Sequence, residues 1–104
     1  MDNNLNCLIK SQDFIDGFWK KNAEFDKILE NKDIKDVYNK ICKFYHDKNI
    51  TDDIKEKICC TFIVVYYVLN EKKEFLADLI LIINKGKKYI KSSGYDYDDL
   101  LKEI

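Results

Sequence analysis

The chain has 104 residues, of which 46% are hydrophobic and 36% are charged, so it can form one domain with a modest core and is too hydrophobic for a disordered protein. Its 18 basic residues are all lysine and nearly balance 19 acidic residues, which leaves a net charge of −1. Because arginine supplies the planar fork that grips phosphates, and because phosphate contacts dominate affinity for DNA and RNA, this composition argues against a nucleic-acid-binding protein.

The N-terminus and the longest apolar run predict neither a secretory signal nor a membrane span. Residues 1–6 are mostly polar and place no basic region before an apolar one, as a signal peptide would. The longest uncharged apolar run, Ile58 to Leu69, is shorter than the about 20 residues that a membrane-spanning helix needs. We therefore expect a cytoplasmic protein whose cysteines are reduced thiols.

The N-terminal third of the chain predicts two short helices. The absence of proline and the presence of only three glycines favour helices over a turn-rich β fold. Leu5, Leu8 and Ile9 recur at helical spacing and predict a first helix that ends before the segment DFIDGFW, residues 13–19. Asn22 is a suitable N-cap for a second helix. The apolar face of that helix consists of Phe25, Ile28 and Leu29.

The middle of the chain predicts two longer helices. An amphipathic helix begins at Asp33, with apolar positions Ile34, Val37, Tyr38, Ile41 and Tyr45. Thr51 is the predicted N-cap of the next helix, with Asp52 and Asp53 in the first turn, where the helix dipole favours acids. The run Ile58 to Leu69 is apolar on every face and exceeds the usual strand length of about 5 to 6 residues. We therefore predict a central helix at about 54–70, surrounded by the others.

The C-terminal third completes the predicted fold. A further helix begins near Lys73, continues through Gly86 and ends at Gly94. Its apolar positions include Phe75, Leu76, Leu79, Ile80, Ile82 and Ile83. The acidic tail that follows carries a small apolar face of Leu100, Leu101 and Ile104. For residues 1–104 we predict a single all-α domain, a compact bundle of five or six helices.

The segment DFIDGFW combines a turn signal with large apolar side chains. Gly17 permits the backbone to reverse, and Asp16 is expected to accept hydrogen bonds from nearby amides. Phe14, Phe18 and Trp19 are expected to cover the helices beneath. We therefore predict that this turn is itself part of the core.

The cysteines and the single histidine suggest a possible metal or redox site. Cys42 and His46 are four residues apart on one predicted helix, and Cys59 and Cys60 lie on the next. Adjacent helical residues point about 100° apart, so at most one of the latter two can face Cys42. The chain has no CxxC pair, and buried cysteines commonly act as small hydrophobic residues. A Cys/His metal-binding or redox domain is therefore the alternative function.

Two other features suggest a protein partner. Lys85, Lys87 and Lys88 form a basic cluster, which is either a solvated helix face or a surface for an acidic partner. Aromatic residues make up 13% of the chain, too many for a small core to bury, and Phe44 and Tyr67 are candidate contact residues. Nothing in the sequence supplies a nucleophile with both an orienting group and an oxyanion site, so we predict neither an enzyme nor a bound cofactor.

Three segments carry a family resemblance. Residues 8–19 resemble the "LI-x-x-Q…DG-x-W" segment that opens the C-terminal helical domain of cytoplasmic von Willebrand factor A domain-containing proteins, a group that includes the vault poly(ADP-ribose) polymerase. Thr61 lies in an apolar helix like the family's Thr-containing helix, and residues 82–90 are similar to its closing "I-x-x-KA-x-x-W-I" element. Departures are Gly86 for Ala, Tyr89 for an aromatic that is often Trp, and no Trp near Leu79. The resemblance covers roughly residues 5–92.

The resemblance implies a role as well as a fold. If the resemblance holds, the chain is a C-terminal module of a larger protein. We expect this module to act in non-catalytic protein–protein interaction. The corresponding region of the vault polymerase binds major vault protein, so attachment of the parent protein to the vault particle is one role that the resemblance suggests. Asp16, Gly17, Phe18, Trp19 and Thr61 are then structural residues of the turn and core. We expect no nucleic-acid or membrane partner, and the oligomeric state is left open.

Overall fold

Helices account for all the regular secondary structure of residues 3–104, the part of the chain that the computed structural model describes. They are α1 (Asn3–Lys10), α2 (Ala23–Ile28), α3 (Lys32–Tyr45), α4 (Asp52–Glu71), α5 (Leu76–Ser92) and α6 (Tyr97–Leu101). The prediction of an all-α bundle of five or six helices is confirmed. Met1 and Asp2, part of the polar N-terminus considered above, lie outside the described residues.

Side-chain caps fix where the helices begin. The Asn22 side chain accepts a hydrogen bond from the Phe25 amide at 2.8 Å and starts α2. Thr51 does the same for α4. Both caps were expected from the sequence, because a short polar acceptor before an apolar run satisfies an amide that has no partner inside the helix. Asp96 and Asp99 form a reciprocal capping box at the start of α6.

The region after α4 differs in detail from the prediction. Residues Lys73–Phe75 form a single 3₁₀ turn, and the α-helix proper begins only at Leu76. Leu79 and Ile83 are buried, whereas Ile80 is exposed. The helix ends at Ser92, and Gly94 adopts a positive φ just beyond it, as expected of a helix stop.

Helix α4 is the centre of the bundle. Every residue from Ile58 to Val65 is buried, and so is Val68. Helices α3 and α5 pack along it, and α2 contacts it as well. None of the helices in residues 3–104 is long and apolar enough to cross a lipid bilayer. The apolar stretch of α4 from Ile58 to Val65 is buried among the other helices.

Trp19 links the N-terminal segments to this central helix. Its side chain has no exposed surface, and its indole nitrogen donates a hydrogen bond to the Leu8 carbonyl oxygen at 2.8 Å. Its backbone amide donates to the Thr61 hydroxyl oxygen at 2.9 Å, and that hydroxyl donates to the Lys57 carbonyl oxygen at 2.5 Å. A single residue thus connects α1 with α4 through buried hydrogen bonds.

Gly86 allows α5 to approach this tryptophan. A β-carbon at Gly86 would lie 3.1 Å from the Trp19 ring and 3.3 Å from methyl groups of both Thr61 and Val65. These distances are shorter than ordinary van der Waals contact, and the neighbouring groups are themselves buried. The glycine therefore sets the spacing between α5 and α4.

Truncation of Trp19 is expected to destabilise the domain strongly. Trp19→Ala removes a fully buried ring and should lower the free energy of unfolding by about 3 to 5 kcal/mol. Trp19→Phe should cost less, about 1 to 2 kcal/mol, because the Leu8 carbonyl keeps hydrogen bonds from the amide and hydroxyl of Ser11. Urea unfolding followed by circular dichroism measures both values. A red-shifted tryptophan emission in the native wild type would contradict the burial on which they depend.

Gly86→Ala is expected to destabilise the domain even though alanine is the better helix former. Overpacking against Trp19 and Thr61 should cost about 1 to 3 kcal/mol, whereas the gain in helix propensity is about 1 kcal/mol. We expect a net loss of about 1 kcal/mol in the same unfolding assay. Lys91→Ala, at an exposed position of the same helix, is the matched control and should change stability by less than about 0.5 kcal/mol. A Gly86→Ala variant that is more stable than wild type would refute the close contact.

Candidate functional site

The segment between α1 and α2 contains a hydrogen-bonded turn at residues 13–18. The Asp13 amide donates to the Phe18 carbonyl oxygen at 2.8 Å, and the Gly17 amide donates to the Asp13 carbonyl oxygen at 3.1 Å. The Asp13 carboxylate accepts from the amides of Ile15 and Asp16 at 3.2 and 2.6 Å. The prediction that Asp16 is the acceptor in this turn is therefore wrong, because the Asp13 carboxylate has that role. An aspartate accepts from amides two or three residues later, and only Asp13 precedes the reversal by that spacing.

The turn is attached directly to α5. Gly17 has φ of +88°, and a β-carbon there would lie 2.6 Å from Cγ of Lys85 and 2.9 Å from its carbonyl oxygen. The Gln12 side-chain amide donates to the carbonyl oxygens of Gly17 at 2.8 Å and Ile82 at 3.1 Å. Glycine is therefore required at position 17 both for the backbone conformation and for the contact with α5.

Two large apolar side chains form the tip of this turn. Phe14 is 89% exposed and Ile15 is 81% exposed, whereas Phe18 is half-buried and Trp19 is fully buried. The prediction that Phe14 covers the helices beneath is therefore wrong. The chain closes between Asp13 and Phe18, so residues 14 and 15 lie beyond the closing hydrogen bonds. Only the last part of the apolar segment reaches the core.

A groove of about 500 Å³ lies on the surface where this turn meets α4 and α5, and we call it the turn groove. Its walls come from three parts of the chain that are distant in sequence. The lining residues are Ile15, Asp16 and Phe18 from the turn, Ile54 and Lys57 from α4, and Lys85, Lys88, Tyr89 and Ser92 from α5.

Lysines and aromatic rings alternate across the turn groove. The Phe18 and Tyr89 rings lie 5.3 Å apart between centroids, and the Lys57 ammonium is 4.5 Å from the centre of the Phe18 ring. The Lys85 ammonium donates to the Phe14 carbonyl oxygen and lies 5.3 Å from that ring. Lys88 forms no ion pair within residues 3–104.

One of these lysines forms an ion pair within its own helix. Lys57 pairs with Asp53 at 2.9 Å, and Asp53 also pairs with Lys20 at 3.1 Å. The hydrogen bond with Asp53 raises the pKa of Lys57, and the bonds from Lys57 and Lys20 lower the pKa of the Asp53 carboxyl. Lys85 and Lys88 are therefore the lining lysines without an ion-pair partner among residues 3–104, and Asp16 is the acid in the lining.

The five predicted partner-binding residues do not meet in the turn groove. It contains only Lys85 and Lys88. Lys87 lies 5.1 Å from the Tyr97 ring, on the side of α5 that faces α6. Phe44 packs edge-on against Tyr45 and Tyr95, and Tyr67 is half-buried against the core. The sequence did not identify Phe14 and Ile15 as exposed surface residues, because their exposure depends on how the turn packs in the folded chain.

The metal alternative lacks a ligand cluster in the part of the chain that the structure describes. No group of three or more His, Cys, Asp or Glu side chains in residues 3–104 is arranged to hold a metal ion. Cys42, His46 and Cys59 nevertheless line one small cavity, and Cys60 does not. The structure thus selects Cys59 as the cysteine that faces Cys42, which the sequence had left open.

Comparisons with known proteins do not assign the chain to a family. No protein-family model matches it, and neither a curated protein nor a solved structure shows significant similarity to it. The resemblance to the helical domain of von Willebrand factor A domain-containing proteins stays a prediction.

The tip of the turn is expected to contribute nothing to stability. The double variant Phe14→Ser, Ile15→Ser should change the free energy of unfolding by less than about 0.5 kcal/mol, because both side chains are exposed. Phe18→Ser is the contrasting variant and should cost about 1 to 2 kcal/mol, since this half-buried ring contacts Tyr89 and Lys57. Urea unfolding compares the two. An equal loss in both variants would show that the tip packs against the fold.

Proposed function

We propose that this chain is a non-catalytic protein-interaction module and that it binds an acidic, partly apolar segment of a partner protein in the turn groove. The observation that carries the proposal is the exposure of Phe14, at 89%, and Ile15, at 81%, beside the cations of Lys85 and Lys88. Adjacent large apolar side chains exposed on a rigid turn favour a binding surface over a purely structural role.

The rigidity of the turn supports this proposal. Asp13 holds the tip from within, and Gln12 and Gly17 fix the turn to α5. An interface that is ordered before binding loses less conformational entropy on association. Phe14 and Ile15 are thus presented in a defined position relative to the groove.

Charge complementarity favours an acidic occupant. Lys85 and Lys88 supply positive charge that no acid of the described chain pairs with at ion-pair distance, whereas Lys57 is paired with Asp53. The Phe18 and Tyr89 rings add apolar surface to the same lining. A carboxylate near each lysine and an apolar side chain between them fit this surface, and such charge pairs also speed association. The absence of arginine and the net charge of −1 speak against nucleic acid as the occupant.

The family resemblance leads to a more specific proposal. In it the chain is a C-terminal module that attaches its parent protein to the vault particle in the cytoplasm through major vault protein. Its support is that Trp19 and Thr61, which belong to two of the segments carrying the resemblance, are hydrogen-bonded to each other in the core. Their sequence similarity therefore concerns residues that depend on one another physically.

Direct titration of purified major vault protein tests the specific partner, and a displayed library of random peptides tests the groove. Lys85→Glu, Lys88→Glu should weaken binding about tenfold or more, equivalent to about 1.4 kcal/mol, because two attractive charges become repulsive. Lys87→Glu, Lys91→Glu is the matched control, with the same change in charge away from the turn groove, and should change affinity less than about twofold. Phe14→Ser, Ile15→Ser should also weaken binding.

The two assays separate the two levels of the proposal. Peptides enriched in Asp, Glu and large apolar residues, without binding of major vault protein, would support the groove and reject the specific partner. Selected peptides without acidic enrichment, or equal losses in the two charge-reversal variants, would reject the groove itself. Binding that is insensitive to salt would also contradict a surface that depends on Lys85 and Lys88.

A further inference from the structure

We propose that Cys42 and Cys59 form an oxidisable thiol pair, in which Cys42 reacts with a hydroperoxide that enters the cavity between α3 and α4, and Cys59 completes an intramolecular disulfide. This inference is independent of the turn groove. It rests on a cavity, on two neighbouring thiols and on a buried hydroxyl group without a partner.

The cavity brings together residues from two packed helices. It has a volume of about 200 Å³, and Cys42 on α3 and Cys59 on α4 both line it. The two thiols are close enough to perturb each other's pKa. Cys42 is half-buried and reachable from the cavity, whereas Cys59 is 3% exposed. One thiol is thus open to a small reagent, and the other lies behind it.

Tyr45 gives independent reason to expect a small polar ligand in this cavity. Its side chain is 1% exposed, and its hydroxyl group has no hydrogen-bond partner within residues 3–104. Tyr45 is among the residues that line the cavity. Buried hydroxyl groups are normally hydrogen-bonded, and this one is left without a partner in a residue that lines the cavity.

The surroundings divide the roles between the two sulfurs. The hydrogen bond from Cys59, followed by the one from Tyr38 and the charge of Lys21, outweighs burial and lowers the pKa of the Cys42 thiol to about 7. The same interaction and burial raise the pKa of Cys59. A lowered pKa increases the thiolate fraction of Cys42 at neutral pH, and the thiolate is the nucleophilic form of cysteine. Cys42 is the attacking sulfur, and Cys59 keeps its proton.

The chemistry balances with a hydroperoxide as the oxidant. The Cys42 thiolate attacks one peroxide oxygen, the O–O bond breaks, and the displaced oxygen leaves as an alcohol or as water after taking a proton. The sulfenic acid formed on Cys42 is then attacked by the sulfur of Cys59. The S–O bond breaks, and the hydroxyl group leaves as water with the Cys59 proton. Two thiols lose two electrons, and the peroxide gains them.

The other two cysteines serve as internal controls. Cys7 is exposed on α1, outside the cavity. Cys60 is next to Cys59 on α4 and equally inaccessible, but it does not line the cavity, and burial raises the pKa of its thiol. The proposal therefore predicts that Cys42 pairs with Cys59 and not with Cys60.

Peptide mapping of wild-type protein treated with equimolar hydrogen peroxide tests the pair. We expect an intact mass lower by two hydrogens, a cross-link between the peptides of Cys42 and Cys59, and reversal by dithiothreitol. In Cys59→Ala the reaction should stop at a Cys42 sulfenic acid that dimedone traps. Cys60→Ala is the matched variant, an alanine at the neighbouring buried position, and should form the cross-link at the wild-type rate within about twofold.

Three outcomes would overturn the proposal. They are oxidation of Cys7 while Cys42 stays reduced, a disulfide of Cys42 with Cys60, and wild-type protein that loses no hydrogens under these conditions. The decisive measurement uses unmodified protein, so a folding defect in a variant cannot explain a negative result. Circular dichroism of both alanine variants checks that their helices are intact before their reactions are compared.

Discussion

The hydrogen bond between the Trp19 amide and the Thr61 hydroxyl is the contact on which the arrangement of the bundle depends. It lies in the core, where an amide without a partner would cost about 1 to 3 kcal/mol, so it strongly favours one position of the N-terminal segment on α4. The indole ring then fills the space that Gly86 leaves open on α5. One residue thus sets the distances among α1, α4 and α5.

The position of α5 in turn determines the geometry of the turn groove. Lys85 precedes Gly86 in the chain, and its side chain and carbonyl group lie against Gly17. The same helix therefore contacts the core at Gly86 and supports the exposed turn one residue earlier. This arrangement explains how Phe14 and Ile15 are held beside Lys85 and Lys88 even though they make no contribution to the core.

Local sequence features were sufficient to predict the helices, whereas the exposed binding residues could be identified only from the tertiary structure. Asn22 and Thr51 are acceptors that cap the helix immediately after them, so sequence spacing was sufficient to place both. Whether the Phe14 side chain is buried depends on whether another helix packs over it, and no local sequence pattern contains that information. Lys85 and Lys88 are three residues apart and therefore share a face of α5, whereas Lys87 lies on another face. The separation of Lys87 from the other two lysines could thus have been predicted from their spacing in the sequence. Helical geometry allowed one cysteine to face Cys42, and only the packing of α3 on α4 selected Cys59.

Helix α4 also affects how the chain folds during synthesis and whether it aggregates. Its segment from Ile58 to Leu69 is rich in β-branched and aromatic residues and carries neither charge nor proline, which is the composition of sequences that aggregate as stacked strands when they are uncovered. During synthesis this segment leaves the ribosome before α5 does, and thus before one of its two main covering helices exists. A substitution that prevents α5 from packing would therefore expose this segment, and the nascent or partly unfolded chain would tend to self-associate. Helix α5 thus protects the chain from aggregation as well as completing its fold.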